Sequence, residues 1–390
     1  MKDPENTRSH GFVWFAAQDW WYHNQAHSDF QLMKEVSRTE PVLVVNSLGL
    51  RLPRPGTSTH PLRRILRKMR SMTKLLRRPL ADLPRFHVLT PIMLPSYGGG
   101  ALARLNARWI RFQVRVAARI AGLPAQPLIG VTIPTAWPVV EKMARSALVF
   151  NRSDLHSAFP EADGSWVESL ENQLLQQSDH VLYVSHELMK RDHALVGDRG
   201  FFLDHGVDLD HFSPDGAVHP EIDGIAAPRV GFFGGLDDYV VDMELLLETA
   251  RRLPQVNVVL IGDATCPMDD LVALPNVYWL GFRDYRDIPA LGRGFDVALM
   301  PWLDNEWIRF ANPIKLKEYL ALGLPVVSTE YPEVEAYRHQ VMVAADRDSF
   351  VAEVEHALAS PGDPDARIAF VQPFSWAGRA KALMTLAVDS

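Results

Sequence analysis

The apolar residues of this chain fall into short unbroken runs, and stretches with helical spacing separate them. Phe12 to Ala17, Val42 to Asn46, His87 to Thr90, Pro127 to Ile133, Ala147 to Asn151, His180 to Ser185 and Gly200 to Leu203 read as strands. A second series follows from Arg229 to Phe233, Val256 to Ile261, Val277 to Gly281, Val297 to Pro301 and Pro325 to Ser328. Runs that do not alternate polar with apolar suit strands covered on both faces, as in a parallel sheet flanked by helices. Intervening helices are expected over Ala101 to Ala121, Trp166 to Ser178, Asp242 to Leu253, Ile314 to Leu322, Asp348 to Ala359 and Ser375 to Ala387. The fold class is therefore α/β, with two Rossmann-like parallel-sheet domains. At 390 residues the chain exceeds one ordinary core. Gly, Pro and Asp cluster between Pro214 and Pro228, which places the domains at 1–212 and 226–372, with a last helix in 373–390.

The net charge of −7 conceals an asymmetry. Residues 1–212 hold 26 Lys+Arg against 20 Asp+Glu, while residues 213–390 hold 14 against 27. Ten basic and no acidic residues lie between Arg51 and Arg78. From Pro61 to Arg78 they alternate at helical spacing with Leu62, Ile65, Leu66, Met69, Met72 and Leu76. Arg63, Arg64, Arg67, Lys68, Arg70, Lys74, Arg77 and Arg78 form the opposite face. Such a helix lies on anionic lipid or packs its apolar stripe on its own domain. No nucleic-acid partner is expected from an otherwise acidic chain without a nucleic-acid motif. Ile120 to Val140 has membrane-span length without charge, yet four prolines break it, so no integral membrane helix is expected. One cysteine, Cys266, excludes an internal disulfide and suits a cytoplasmic protein.

Ligands of such sheets sit beyond the carboxyl ends of the strands. There the sharpest segment is Phe310-Ala-Asn-Pro-Ile-Lys-Leu-Lys-Glu-Tyr-Leu-Ala-Leu-Gly-Leu-Pro-Val-Val-Ser-Thr329. Asn312 is the expected N-cap and Pro313 the first helical residue. Backbone N–H groups at Ile314 and Lys315 would then point out of the helix start, where phosphate binds well. A lysine on that first turn opposes the macrodipole unless an anion sits between them. Glu318, one turn on, suits ribose hydroxyls.

This segment resembles the nucleotide-sugar signature of GT-B glycosyltransferases, bacterial family 4-like (glycosyl transferases group 1). Ser178-Asp-His-Val-Leu-Tyr-Val-Ser185, Asp204-His-Gly-Val-Asp-Leu-Asp-His-Phe-Ser-Pro214, Arg229-Val-Gly-Phe-Phe-Gly-Gly-Leu236 and Ser375-Trp376 resemble further motifs of that family. The resemblance covers roughly residues 145–385. It implies a GT-B fold, two domains facing across a cleft, with the C-terminal helix returning to the N-domain. It implies a nucleotide-diphosphate sugar, of UDP or GDP type, as donor substrate, and no cofactor or metal. Gly234, Gly235, Phe282, Arg283, Asn312, Ile314, Lys315 and Glu318 are the implied donor-binding residues. Position 310 is Phe where the family has the first Glu of a pair, and Asp237 and Asp238 follow the glycines where it often has a basic residue. Lys315 would supply the phosphate charge instead, as in membrane-associated glucuronosyltransferase-type members. Gly231, Gly234 and Gly235 form no G-x-G-x-x-G, so they either make a tight turn or let a diphosphate approach the backbone.

An acceptor hydroxyl needs a general base facing the cleft. Asp154, after an N-domain strand, and His23 and His27, after the first strand, are the candidates. Asp208/Asp210 and Asp363/Asp365 mimic D-x-D pairs but follow no nucleotide-facing strand, so no metal site is expected. The expected function is transfer of a sugar to a lipid-linked or cell-surface glycan precursor at the inner face of the plasma membrane. A sugar-nucleotide epimerase and a non-catalytic binding module are the alternatives.

Overall fold

The structure, a computed structural model, describes residues 10–22, 26–49, 61–94, 100–159 and 164–388, without the side chains of 61–65 and 387–388. It divides into two compact units, Met1–Asp204 with Arg379–Ser390, and His205–Gly378.

The first unit holds β1 (Phe12–Phe15), β2 (Val42–Val45), β3 (Leu76–Arg77), β4 (Phe86–Leu89), β5 (Leu128–Val131), β6 (Leu148–Arg152), β7 (His180–Tyr183) and β8 (Gly200–Phe202). They form one sheet ordered β3-β4-β2-β1-β5-β6-β7-β8. Only the pairing of β3 with β4 is antiparallel. The second unit holds β9 (Arg229–Phe233), β10 (Asn257–Ile261), β11 (Val277–Gly281), β12 (Val297–Met300), β13 (Val326–Thr329) and β14 (Met342–Ala344), ordered β11-β10-β9-β12-β13-β14 and wholly parallel. The central strands β1, β2, β5 and β12 are buried at every residue, as unbroken apolar runs require. The α/β class and the paired parallel sheets are thus those read from the sequence.

Several boundaries differ. Val207 and Phe212 are buried in the core of the second unit, so the segment after Asp204 belongs there and the expected boundary at 212 moves back. The last helix runs Trp376–Val388, and its first turn stays with the second unit. Ser375 caps it by accepting the Gly378 amide at 3.2 Å. The basic helix ends at Met72 rather than Arg78. Leu75 takes φ 49°, and its carbonyl accepts the Thr90 amide at 2.9 Å. Leu76 and Arg77 then pair with Leu89 and Val88, so sheet pairing overrides helical propensity there, and Arg77 and Arg78 leave the helix. Helices at His186–Val196 and Pro364–Val371, and strands β3 and β14, had no counterpart in the sequence reading. Between Ile120 and Val140 lie β5 and short helical turns at Pro134–Ala136 and Trp137–Val140, and no described helix is long and apolar enough to cross a membrane.

Close packing leaves no room at Gly231 on β9, where an added Cβ would lie 2.3 Å from the buried Phe295 ring. Gly231→Ala is expected to destabilise the second unit by about 1–3 kcal/mol through overpacking. Urea unfolding checks this, and an unchanged midpoint would contradict it.

Candidate active site: a donor cradle and a buried carboxylate

In the second unit, β9, β10 and β11 each end at a glycine. Gly234, Gly262 and Gly281 have φ of +141°, +146° and +68°, a region that favours glycine. The Gly234 amide donates to the Ile261 carbonyl at 2.8 Å, and the Gly262 amide to that of Gly281 at 2.9 Å. A Cβ on Gly262 would stand 1.8 Å from the Gly234 carbonyl oxygen. The three strand ends therefore form a bare backbone shelf.

Lys315 rests on that shelf. A Cβ on Gly234 would lie 2.2 Å from its Nζ, which also sits 4.4 Å from the centroid of Phe232. The helix that carries it runs Ile314–Ala321. Asn312 is buried but is not the cap: Pro313 takes the N-cap position and no side chain caps the helix. Proline has no side-chain oxygen to offer, so capping leaves the amides at the helix start to an outside acceptor. Tyr319 holds the helix against β9, its hydroxyl accepting the Phe233 amide at 3.0 Å. Lys317 is fully buried, donates to the His205 carbonyl and lies 5.3 Å from the Phe374 ring.

Burial sets the charges here. It lowers the Lys315 ammonium to about 8, against the opposing pull of Glu318 and Asp237. It raises the Glu318 carboxyl to about 8, with Lys315 opposing and Asp208 adding to the rise. At neutral pH the pair is thus a cationic lysine beside a protonated carboxyl, able to meet an anion and to bond hydroxyls. Gly235 is close to Asp237, whose Oδ2 would lie 2.8 Å from a Cβ there, and Asp237 accepts the Thr265 hydroxyl at 2.7 Å. Phe282, just beyond β11, is exposed. The Arg283 side chain is clamped to Glu221, with Nε donating at 3.1 Å. Its guanidinium is occupied, which leaves the loop backbone as the group that can read a ligand.

In the first unit a second polar cluster gathers at the ends of β1, β5 and β6. Asp29, fully buried, accepts Trp14 Nε1 at 2.8 Å, the Ala17 amide at 2.8 Å, Asn151 Nδ2 at 3.2 Å and the Thr132 hydroxyl. His27 caps the helix Ser28–Val36, its Nδ1 accepting the Asp29 amide at 3.3 Å, and burial lowers its basicity. His23 lies outside the described residues. Asp154 follows β6, half-buried, with the Ser153 hydroxyl 3.4 Å from its Oδ2. Burial pushes its carboxyl up to about 7. Beneath it Arg152, fully buried, is bonded to Glu171 and, at 3.2 Å, to Asp192. His156, also buried, is pushed down to about 4 and is therefore neutral. The sequence analysis missed Asp29, Arg152, His156 and Lys317, because lone charged residues carry no sequence mark of burial. A cavity of about 360 Å³ also opens in this unit, walled by Trp137, Trp166, Leu170 and Met93 with Arg104 and Arg111.

The basic helix, Pro61–Met72, does not present its residues as its spacing implies. Lys68 points inward, donating to the Ser47 carbonyl at 2.6 Å and pairing with Asp19 at 3.4 Å. Ser71 bonds both oxygens of Asp19. Lys74, past the helix end, lies 5.6 Å from the Trp21 ring, and Arg67 5.9 Å from that of Tyr22. Leu66 and Met69 are exposed instead, beside Arg67 and Arg70. The side chains of Arg63 and Arg64 lie outside the described residues.

The two parallel-sheet units have the GT-B fold of the solved structures they resemble. Residues 227–360 match the family model for glycosyl transferases group 1, a span that includes the glycine shelf, Lys315 and Glu318. Over 234 residues the chain is 29% identical to the putative teichuronic acid biosynthesis glycosyltransferase TuaH of Bacillus subtilis, covering 56% of this chain and 57% of that protein's length. Among solved structures, sucrose-phosphate synthase from Thermosynechococcus elongatus superposes with a TM-score of 0.71 at 14% identity, covering 97% of this chain and 98% of that one. Anabaena HepE in complex with UDP-glucose gives a TM-score of 0.66 at 15% identity, covering 97% and 100%.

The raised Glu318 carboxyl has a consequence for stability. Between about pH 5 and 8 the folded chain holds a proton on Glu318 that the unfolded chain has released, so stability falls as pH rises through this window. Lys315 is charged in both states over most of this window and opposes the decline only near its upper end, where the folded ammonium begins to lose its proton. Glu318→Gln is expected to flatten this decline in urea unfolding at pH 5.5 and 7.5. An equal decline in the variant would contradict the assignment.

Proposed function

We propose that the chain is a glycosyltransferase. It moves a sugar from a nucleotide-diphosphate sugar, of UDP or GDP type, to an acceptor hydroxyl on a lipid-linked or cell-surface glycan precursor, at the inner face of the plasma membrane. The observation that carries this reading is Lys315, seated on the Gly234 backbone at an uncapped helix start. Backbone amides, a helix dipole and one ammonium there converge on the place a diphosphate would occupy. The protonated Glu318 suits the ribose. HepE, solved with UDP and with UDP-glucose, and TuaH, a putative teichuronic acid biosynthesis glycosyltransferase, support the donor class and the kind of product.

In the reaction, the acceptor oxygen bonds to the anomeric carbon while the bond from that carbon to the diphosphate oxygen breaks. The electron pair leaves with the nucleoside diphosphate, whose charge Lys315 and the helix start stabilise. The hydroxyl proton passes to Asp154. A base that titrates near 7 is well matched to this task at neutral pH. His27 is bound as a helix cap, which leaves Asp154 as the base we assign among the described residues. Lys315 and the helix start meet the charge that a metal ion would otherwise neutralise, and no further cofactor is called for.

Lys315→Ala is expected to weaken UDP-sugar binding roughly 10–100-fold, the range for a lost charge-assisted bond. Wild-type affinity should hold below about pH 8 and fall above it as the ammonium loses its proton. A thermal-shift panel of UDP-, GDP-, ADP- and TDP-sugars measures both effects. Binding unaffected by the substitution and by pH up to 10 would remove the diphosphate from this site.

Asp154→Asn is expected to lower kcat on the order of 10²–10⁴-fold while donor binding persists. In the wild type at saturating donor, kcat should rise with pH up to about 7 and level beyond, because only the ionised carboxylate accepts a proton. Initial rates across pH 5 to 9 check this, and a flat profile would exclude Asp154 as the base.

A further inference from the structure

The helix Ala101–Ile120 is built the wrong way round for a helix that serves only its own fold. Its buried face is small or polar: Asn106, Ala107, Val114, Ala117 and Ala118, with Ile110 the one large exception. Its exposed face carries Leu102, Leu105, Trp109, Phe112, Val116 and Ile120, each 38–68% exposed. These six recur every three or four residues, so they form one stripe along the whole helix, which is about 30 Å long. Trp109 and Phe112 stack at 5.8 Å. Beside the stripe Arg104, Arg108, Arg115 and Arg119 are exposed, and the helix contains no acidic residue.

The adjoining segment extends this surface. Gln113 and Asn106 bracket it: the amides of Ile92 and Leu94 donate to their side-chain oxygens at 2.8 and 2.9 Å, and their side-chain amides donate back to the same two carbonyls. Ile92 and Leu94 are thereby held in place, and both are nearly half exposed. A monomer gains nothing for folding by holding large apolar side chains out in water, so such a patch marks a contact surface.

We propose that Ala101–Ile120 is the docking surface of this protein for an anionic lipid bilayer. The stripe enters the boundary between headgroups and acyl chains, and the arginines bond lipid phosphates. Charge complementarity selects this occupant. A second copy of the same face would set arginine rows against arginine rows with no carboxylate from the helix between them, whereas anionic headgroups neutralise them. With no described helix fit to cross a membrane, the helix lies on the bilayer. The assignment deepens the membrane location in the proposed function and moves its apolar contact away from the helix Pro61–Met72.

The test uses sedimentation of the full chain with vesicles of phosphatidylcholine alone and with phosphatidylglycerol added. Variants are W109S/F112S and R104S/R108S, with R67S/R70S for the other helix. Binding to UDP-sugar, read separately by thermal shift, reports folding and the donor site. Wild type is expected to bind the anionic vesicles, W109S/F112S at least tenfold more weakly with donor binding intact. R104S/R108S should weaken anionic binding roughly fivefold for each arginine. Undiminished vesicle binding by W109S/F112S would overturn this assignment while leaving a membrane location standing. No wild-type binding to either vesicle would overturn both, without touching the donor site. A wild-type dimer that W109S/F112S converts to monomer, with no vesicle binding, would assign the stripe to a second copy.

Discussion

A parallel sheet covered on both faces gives polar groups only one place to meet, beyond the strand ends. The two polar clusters described above obey that constraint. In the first unit, Asp29 ties together the ends of β1, β5 and β6 through Trp14, Thr132 and Asn151. In the second, the ends of β9, β10 and β11 are stripped to glycine and Lys315 is laid across them. The first arrangement satisfies its carboxylate with four donors. The second leaves a buried cation on the Gly234 backbone at a helix start that no side chain caps. A satisfied cluster fixes a structure, and an unsatisfied one awaits a ligand.

At the proposed donor site burial shifts the two titrating groups in opposite directions. Desolvation favours the neutral form of each, bringing both to about 8. Neutral pH lies on the charged side for Lys315 and the protonated side for Glu318. A fully ionised pair would neutralise itself and compete with an incoming diphosphate. A protonated Glu318 leaves the ammonium available, and a diphosphate beside it would raise its proton affinity further.

Elements set by local pattern were legible in the sequence. Unbroken apolar runs located the strands from β9 to β13 within a residue at each end, and the segment 310–329 located the donor helix with its Gly323 stop at φ +74°. What escaped was decided by tertiary contact. No local signal stops the basic helix at Met72; the pairing of Leu76 with Leu89 does. Lys68 and Lys317 read as surface charges until Asp19 and the His205 carbonyl are seen to receive them. Asn312 has the right side chain for a cap, but the chain turns one residue later.

The two amphipathic helices of the first unit show why a stripe cannot be assigned from spacing alone. Pro61–Met72 has the stronger basic pattern, yet it spends Lys68 and Ser71 on Asp19, an interaction that fixes which face looks inward. Its apolar stripe is then divided, with Leu66 and Met69 outside. Ala101–Ile120 keeps its stripe whole, because small residues and Asn106 pack it inward. An amphipathic helix adheres by the continuous apolar area it can bury, with charge assisting over about 8–10 Å. On that criterion the helix with the lower density of charge and the longer uninterrupted stripe is the stronger candidate for the proposed anchor. Under the proposed docking, the excess of cations between Arg51 and Arg78 would add longer-range attraction toward an anionic surface.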